Sequence, residues 1–200
     1  MPRLDDIIAD ILPEVQNAPA DTLKKALREA ARTLCRRSKV WRADVEGTLL
    51  PGIAQVELEL PRDAALVDVA CLYRPGQGPQ GGGFPSRTGQ LFGDAFRLGA
   101  DGALALAEAP SEGGTLRAVV SLAPTPQAER LDDALYDAWG AAIRHGARWL
   151  LKSMHGREWF EAQVALYHQQ EFERGIAQAA HAALRACEQS RPAALRNRFL

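Results

Sequence analysis

Between Leu131 and Cys187 two long runs of helical periodicity meet at the short break Met154-His155-Gly156. A chain closed by such a helical hairpin must bury one stripe of each arm. Leu131, Leu135, Ala138, Trp139, Ala142, Ile143, Gly146, Trp149 and Leu150 trace the stripe of the first arm. Asp132, Asp133 and Asp137 stand near its start and Arg148 and Lys152 near its end, the charge order that complements a helix dipole. The second arm is predicted from Arg157 to Cys187, roughly 45 Å long at 1.5 Å per residue. It carries Trp159, Phe160, Tyr167, Phe172, Gly175 and Ile176. Its later half adds Ala177, Ala179, Ala180, Ala182, Ala183 and Ala186, small residues around much of the circumference that admit a second helix closely. That second helix is expected from another subunit, with Ala179 and Ala183 at the contact.

Upstream, Leu4, Ile7, Ile8, Ile11 and Leu12 predict a short helix stopped by Pro13. A second helix follows, capped by Asp21, with an apolar stripe of Leu23, Ala26, Leu27, Ala30, Ala31 and Leu34 reaching about Ser38. Lys24, Arg28, Arg32 and Arg36 recur every fourth residue and form a basic ridge, expected to meet acids of a neighbouring subunit or to stay solvated. From Ala43 to Leu122 the period becomes two. Val56, Leu58 and Leu60 alternate with Gln55, Glu57 and Glu59 after the turn Pro51-Gly52, and further strands are predicted at 66–73, 102–106 and 115–122. The segment 74–89 holds six Gly and three Pro, too many for regular structure, and is expected to be a flexible loop. No Gly-Lys-Ser/Thr closes those glycines, so the loop is not a phosphate cradle.

The fold class is therefore α+β: N-terminal helices and a C-terminal helical hairpin packed with a small antiparallel β-domain. Residues 1–42 and 129–187 form the expected helical domain, 43–128 an inserted β-domain, and 188–200 a polar tail.

Chemistry is sparse. The 24 Lys and Arg residues balance 25 Asp and Glu, so no overall basic field draws the chain to nucleic acid. Cys35, Cys71 and Cys187 lie far apart and outside any Cys-x-x-Cys spacing, as expected of reduced, mostly buried thiols. His145, His155, His168 and His181 lack metal-ligand spacing, and no serine sits in a Gly-x-Ser-x-Gly elbow. Trp41, Trp139, Trp149 and Trp159 read as large core or interface side chains before they read as a base-stacking platform. Catalytic, cofactor and metal sites are accordingly expected to be absent. Acids at the N-terminus and the lack of any run of about 18 apolar residues speak against a signal peptide and a membrane span.

The order of elements, with Leu4-Asp-Asp-Ile-Ile8, Ala30-Ala31 through Cys35 to Trp41, Pro51-Gly52, Pro124-Thr-Pro126, Gly146-Ala147, Trp159, Tyr167 and Glu171-Phe-Glu-Arg-Gly175-Ile176, resembles the head-tail adaptor (connector) proteins of tailed bacteriophages and prophages. The resemblance implies a structural virion protein and not an enzyme. It would form a homo-oligomeric ring, twelvefold in the family's general manner, below the portal, join the capsid head to the tail and continue the channel for double-stranded DNA. It implies itself, the portal and a tail or tail-nozzle protein as partners, no cofactor and no membrane, and a place in the virion neck after assembly in the host cytoplasm. Under that resemblance Arg191, Leu195, Arg196, Arg198, Phe199 and Leu200 of the tail become the expected portal anchor, basic and apolar groups with little use in a free terminus. The alternatives are another neck or tail-completion protein and a soluble enzyme whose site forms only in three dimensions.

Overall fold

The computed structural model describes residues 3–73, 96–99 and 103–189. The glycine-rich segment 74–89 and the tail 190–200 lie outside the described residues. The chain divides into two compact units, Met1–Trp41 with Ala123–Ala183, and Arg42–Leu122 with Leu184–Leu200.

The first unit is helical. Helix α1, Leu4–Ile8, is followed by a 3-10 turn, Leu12–Glu14, so the predicted first helix breaks earlier than expected. Leu4, Ile7, Ile11 and Val15 are the residues this segment buries, while Leu12 turns outward, 45% exposed. Pro13 causes the change: it cannot donate a backbone hydrogen bond and instead occupies the first turn of the 3-10 segment. Helix α2, Ala20–Ser38, starts one step before the expected cap because Pro19 occupies that position with extended ψ; Asp21 sits in the first turn. Its predicted stripe is buried throughout, with Leu27, Ala30, Ala31 and Leu34 at 0% exposure. Lys39 ends the helix in the left-handed conformation, its N–H donating to the Cys35 carbonyl at 2.8 Å.

Helix α3, Asp133–Lys152, is capped by Asp132, whose carboxylate accepts from the Leu135 N–H at 3.0 Å. Helix α4, Ala162–Gln189, begins later than predicted. Gly156 adopts a φ of 74°, the Phe160 N–H bonds the Arg157 carbonyl, and the Glu161 N–H returns to the Lys152 carbonyl at 3.0 Å. These bonds hold 153–161 as an ordered turn, which the Lys152–Glu161 ion pair at 3.0 Å closes.

The arms of the hairpin approach where the sequence is smallest. A Cβ placed on Gly175 would lie 2.5 Å from the Ala142 Cβ, and one on Gly146 would lie 2.8 Å from the Phe172 ring and 2.9 Å from the Ala30 Cβ. Gly146 thus marks the point where α2, α3 and α4 converge, with Phe172, 1% exposed, filling the space its missing side chain leaves.

The second unit carries a six-stranded antiparallel sheet formed by β1 (Arg42–Leu49), β2 (Gln55–Leu58), β3 (Ala64–Tyr73), β4 (Phe96–Leu98), β5 (Leu104–Leu106) and β6 (Gly114–Pro124), in the order β3-β6-β1-β2-β5-β4. The longest described ladder joins β1 to β6 from Arg42↔Ser121 to Leu49↔Gly114. In it Val45 faces Ala118, so Val45 and Leu49 of β1 and Leu116, Ala118, Val120 and Leu122 of β6 fall on the buried side. On the other side Glu46 faces Arg117, whose guanidinium donates to its carboxylate at 2.6 and 2.9 Å. Four strands are read correctly from alternation. β1 and β4 add two more, β1 hidden by its small Ala43 and Gly47 and β4 by its three-residue length.

Candidate interaction surfaces

The basic ridge of α2 is mostly committed within its own chain. Lys24 pairs with Asp5 at 2.7 Å, which holds its ammonium above the ordinary lysine range chiefly through that hydrogen bond. Arg28 donates from Nε to the Ala128 carbonyl at 2.8 Å, and Arg32 pairs with Glu29 one turn back at 2.9 Å. Arg36 is exposed. Four-residue spacing shows that these cations share a face, but it cannot show that the N-terminal segment and the 128 turn lie beside them.

Ala179 and Ala183, expected at a subunit contact, are 0% and 6% exposed. With Ala165, His168, Phe172 and Ile176 they form the inward stripe of α4, so their small size is already used inside the subunit. The outward stripe comprises Leu166, Gln170, Arg174, Ala177, His181 and Leu184, all exposed, with Leu166 at 58% and Leu184 at 60%. The two leucines stand 18 residues apart on this face, roughly 27 Å along the helix, and do not form one contiguous apolar patch. The tail residues Arg191, Leu195, Arg196, Arg198, Phe199 and Leu200 lie outside the described residues.

A polar cluster that sequence spacing did not reveal ties the N-terminal segment to the hairpin. Glu14 pairs with Arg148 at 3.0 Å and with His168 Nε2 at 3.2 Å. His168 Nδ1 meets His145 Nδ1 at 2.9 Å. Beside them Arg148 donates to the Asp10 carbonyl oxygen at 2.7 Å, and Arg144 donates to the Tyr136 hydroxyl at 2.7 Å and pairs with the Asp10 carboxylate at 3.3 Å. One signal could have found the histidines: they stand at nearly equal distances on either side of Gly156, so closing the hairpin brings them opposite. Burial pushes both imidazoles below the ordinary histidine value.

Elsewhere in the helical unit, Arg37 grips Glu173 with two hydrogen bonds of 2.5 and 2.7 Å, which hold the Glu173 carboxyl below the usual range. The Cys35 thiol is buried, and desolvation, with a smaller push from Asp132, drives it up to about 12, so it is no nucleophile. In the β unit a hollow of about 490 Å³ is lined by both apolar and polar side chains, Leu50, Ile53 and Leu58 among the first and Thr48, Gln55 and Glu57 among the second. Among the described residues no group of three or more His, Cys, Asp or Glu side chains is arranged to hold a metal ion, and no helix is long and apolar enough to cross a membrane.

The helical unit spends most of its described ionic groups on joining its own segments. The SU10 adaptor protein family matches residues 2–197, and the chain belongs to that family of phage head-tail adaptors. It is a bacteriophage structural protein that works among other virion proteins. No curated protein matches the chain.

Proposed function

We propose that the chain is the subunit of a homo-oligomeric ring, twelvefold in the manner its resemblance implies, seated below the portal, where it joins head to tail and continues the DNA channel. The observation that carries this reading is the family match over residues 2–197, which spans both units and reaches into the tail. A closed ring needs two different patches on each subunit. The outward stripe of α4 supplies one candidate, and the exposed end of the α2 ridge at Arg36 another. The tail is the proposed portal anchor. Arg191, Arg196 and Arg198 offer charge to an acidic partner, Leu195, Phe199 and Leu200 offer apolar side chains, and many weak copies around a ring combine into a firm joint.

The test mixes the purified chain with its portal and determines mass and rotational symmetry by native mass spectrometry and electron microscopy. A ring on the portal is expected, and deletion of 191–200 should abolish its attachment while leaving the circular-dichroism spectrum unchanged. Attachment of the truncated chain with undiminished affinity would refute the anchor. Binding to the tail but not to the portal would make the protein a tail-completion factor.

A further inference from the structure

The cluster linking Glu14, His145 and His168 has chemistry that ring assembly does not use. An ionised carboxylate only accepts hydrogen bonds, so His168 must carry a hydrogen on Nε2 to bond Glu14 Oε2 at 3.2 Å. In neutral His168 the Nδ1 atom is then an acceptor, and the 2.9 Å contact requires His145 to carry its hydrogen on Nδ1. The geometry fixes both tautomers. It also limits occupancy, because two Nδ1 atoms this close have room for one hydrogen between them.

We propose that His145 and His168 form a one-proton joint between α3 and α4: the pair takes a first added proton by shifting hydrogens within the contact and keeps the rings in place, and a second expels the His145 ring and breaks the link. After the first proton His168 is doubly protonated and donates from Nδ1 to His145, whose own hydrogen moves to Nε2, so the contact survives. A second proton, on His145, would set two N–H groups against each other. The surrounding charges separate the steps. Glu14 from the N-terminal turn and Glu171 from α4 favour positive charge, whereas Arg144 and Arg148 from α3 oppose it, and the charged His168 opposes the second proton further. Position decides which ring leaves. His168 is 4% exposed and held by Glu14, whereas His145 is only half-buried.

The sign follows from linkage. Both imidazoles are held below the ordinary histidine value by burial, so the stabilisation of the neutral pair is complete above about pH 6.5 and declines as pH falls below it through the lowered folded values. The ring of Tyr167, edge-on to His145 at 6.0 Å and to His168 at 5.2 Å between centroids, is a built-in reporter. The inference concerns the isolated subunit and does not rest on the adaptor reading.

Imidazole ¹⁵N NMR of the full-length chain between about pH 8 and about pH 4 tests it. Expected are a Nδ1–H tautomer for His145 and a Nε2–H tautomer for His168 at high pH, two separate titration steps, and a Tyr167 ring shift that responds to both steps. Glu14→Gln should move the first step to lower pH, and His145→Phe should leave a single step on His168. Finding both histidines as Nε2–H tautomers at high pH, or both titrating together in one step, would overturn the joint. If His145→Phe fails to give the native circular-dichroism spectrum, the Glu14→Gln shift and the wild-type tautomers still decide the outcome.

Discussion

Replacing Gly175 by alanine sets two opposed effects against each other. Alanine is favoured over glycine in a helix interior by about 1 kcal/mol, because glycine loses more backbone freedom on folding. In this chain the added Cβ would lie 2.5 Å from the Ala142 Cβ and 3.5 Å from its Cα. Carbon atoms pack at about 3.5–4.0 Å, and both methyls are fixed to helical backbone, so no rotamer relieves the clash and α3 must move away from α4. Overpacking of this kind costs about 1–3 kcal/mol, and the rigidity of both partners places Gly175→Ala toward the upper end. The net expectation is a loss of about 1–2 kcal/mol after the propensity gain is subtracted. In a chain of this size that lowers the melting temperature by about 2–8 °C.

Urea unfolding followed by far-UV circular dichroism measures the change, with an unaltered slope showing that the folded and unfolded states keep their compactness. The double variant Ala142→Gly with Gly175→Ala removes the clash and should show a favourable coupling of about 1 kcal/mol or more in a double-mutant cycle. Wild-type or higher stability of Gly175→Ala would refute the reasoning, because propensity alone would then govern the site.

Three further outcomes follow from the helical unit. Phe172→Ala should lose about 3–5 kcal/mol in the same denaturation assay, since the ring is buried where three helices converge and the backbone at Gly146 cannot collapse into the gap. Asp132→Ala should cost about 0.5–2 kcal/mol by removing the cap of α3, with Asp132→Asn or Asp132→Ser restoring most of it in thermal melts. The Arg37–Glu173 pair, roughly half exposed on both sides, should contribute only about 0.2–1 kcal/mol in a double-mutant cycle. Because the Glu173 value is lowered on folding, that contribution is present above the ordinary glutamate value of 4.5 and is lost as pH falls through the lowered one; high salt at neutral pH should weaken it as well.

Wherever burial followed a regular period, the sequence was a good guide. The stripe Leu23 to Leu34, Leu135, Ile143 and Gly146 of the first hairpin arm, Phe172 and Ile176 of the second, and the alternation in β2 and early β6 declare their faces because one side must avoid water. Ala138 and Tyr167 of the expected stripes are instead exposed, and Leu151 is buried where Leu150 was expected. Legibility failed where small residues or turns carry the structure. Ala43 and Gly47 contribute little to the apolar signal of β1, and the 153–161 turn is held by backbone bonds and the Lys152–Glu161 pair, which composition does not encode. The ridge and the alanine stripe show a different limit. Spacing along one helix says which side chains share a face, whereas the partners Asp5 and Ala128 arrive from elsewhere in the chain.

The ladder from Arg42↔Ser121 onward has a consequence for how the chain tolerates change. The path leaves the helical unit at Trp41 and rejoins it at Ala123, and its outgoing and returning strands are hydrogen-bonded side by side from the first residue pair. The intervening excursion is therefore closed at its neck. To the helices it acts as a short bridge whatever its contour length, because the entropy of bringing its ends together is met by the strand pairing and grows only slowly with the residues beyond. Lengthening or shortening the turns at the far end of that excursion changes the chain closed by the neck and not the neck itself. Insertions in the far turns of the excursion should therefore cost this chain little closure entropy.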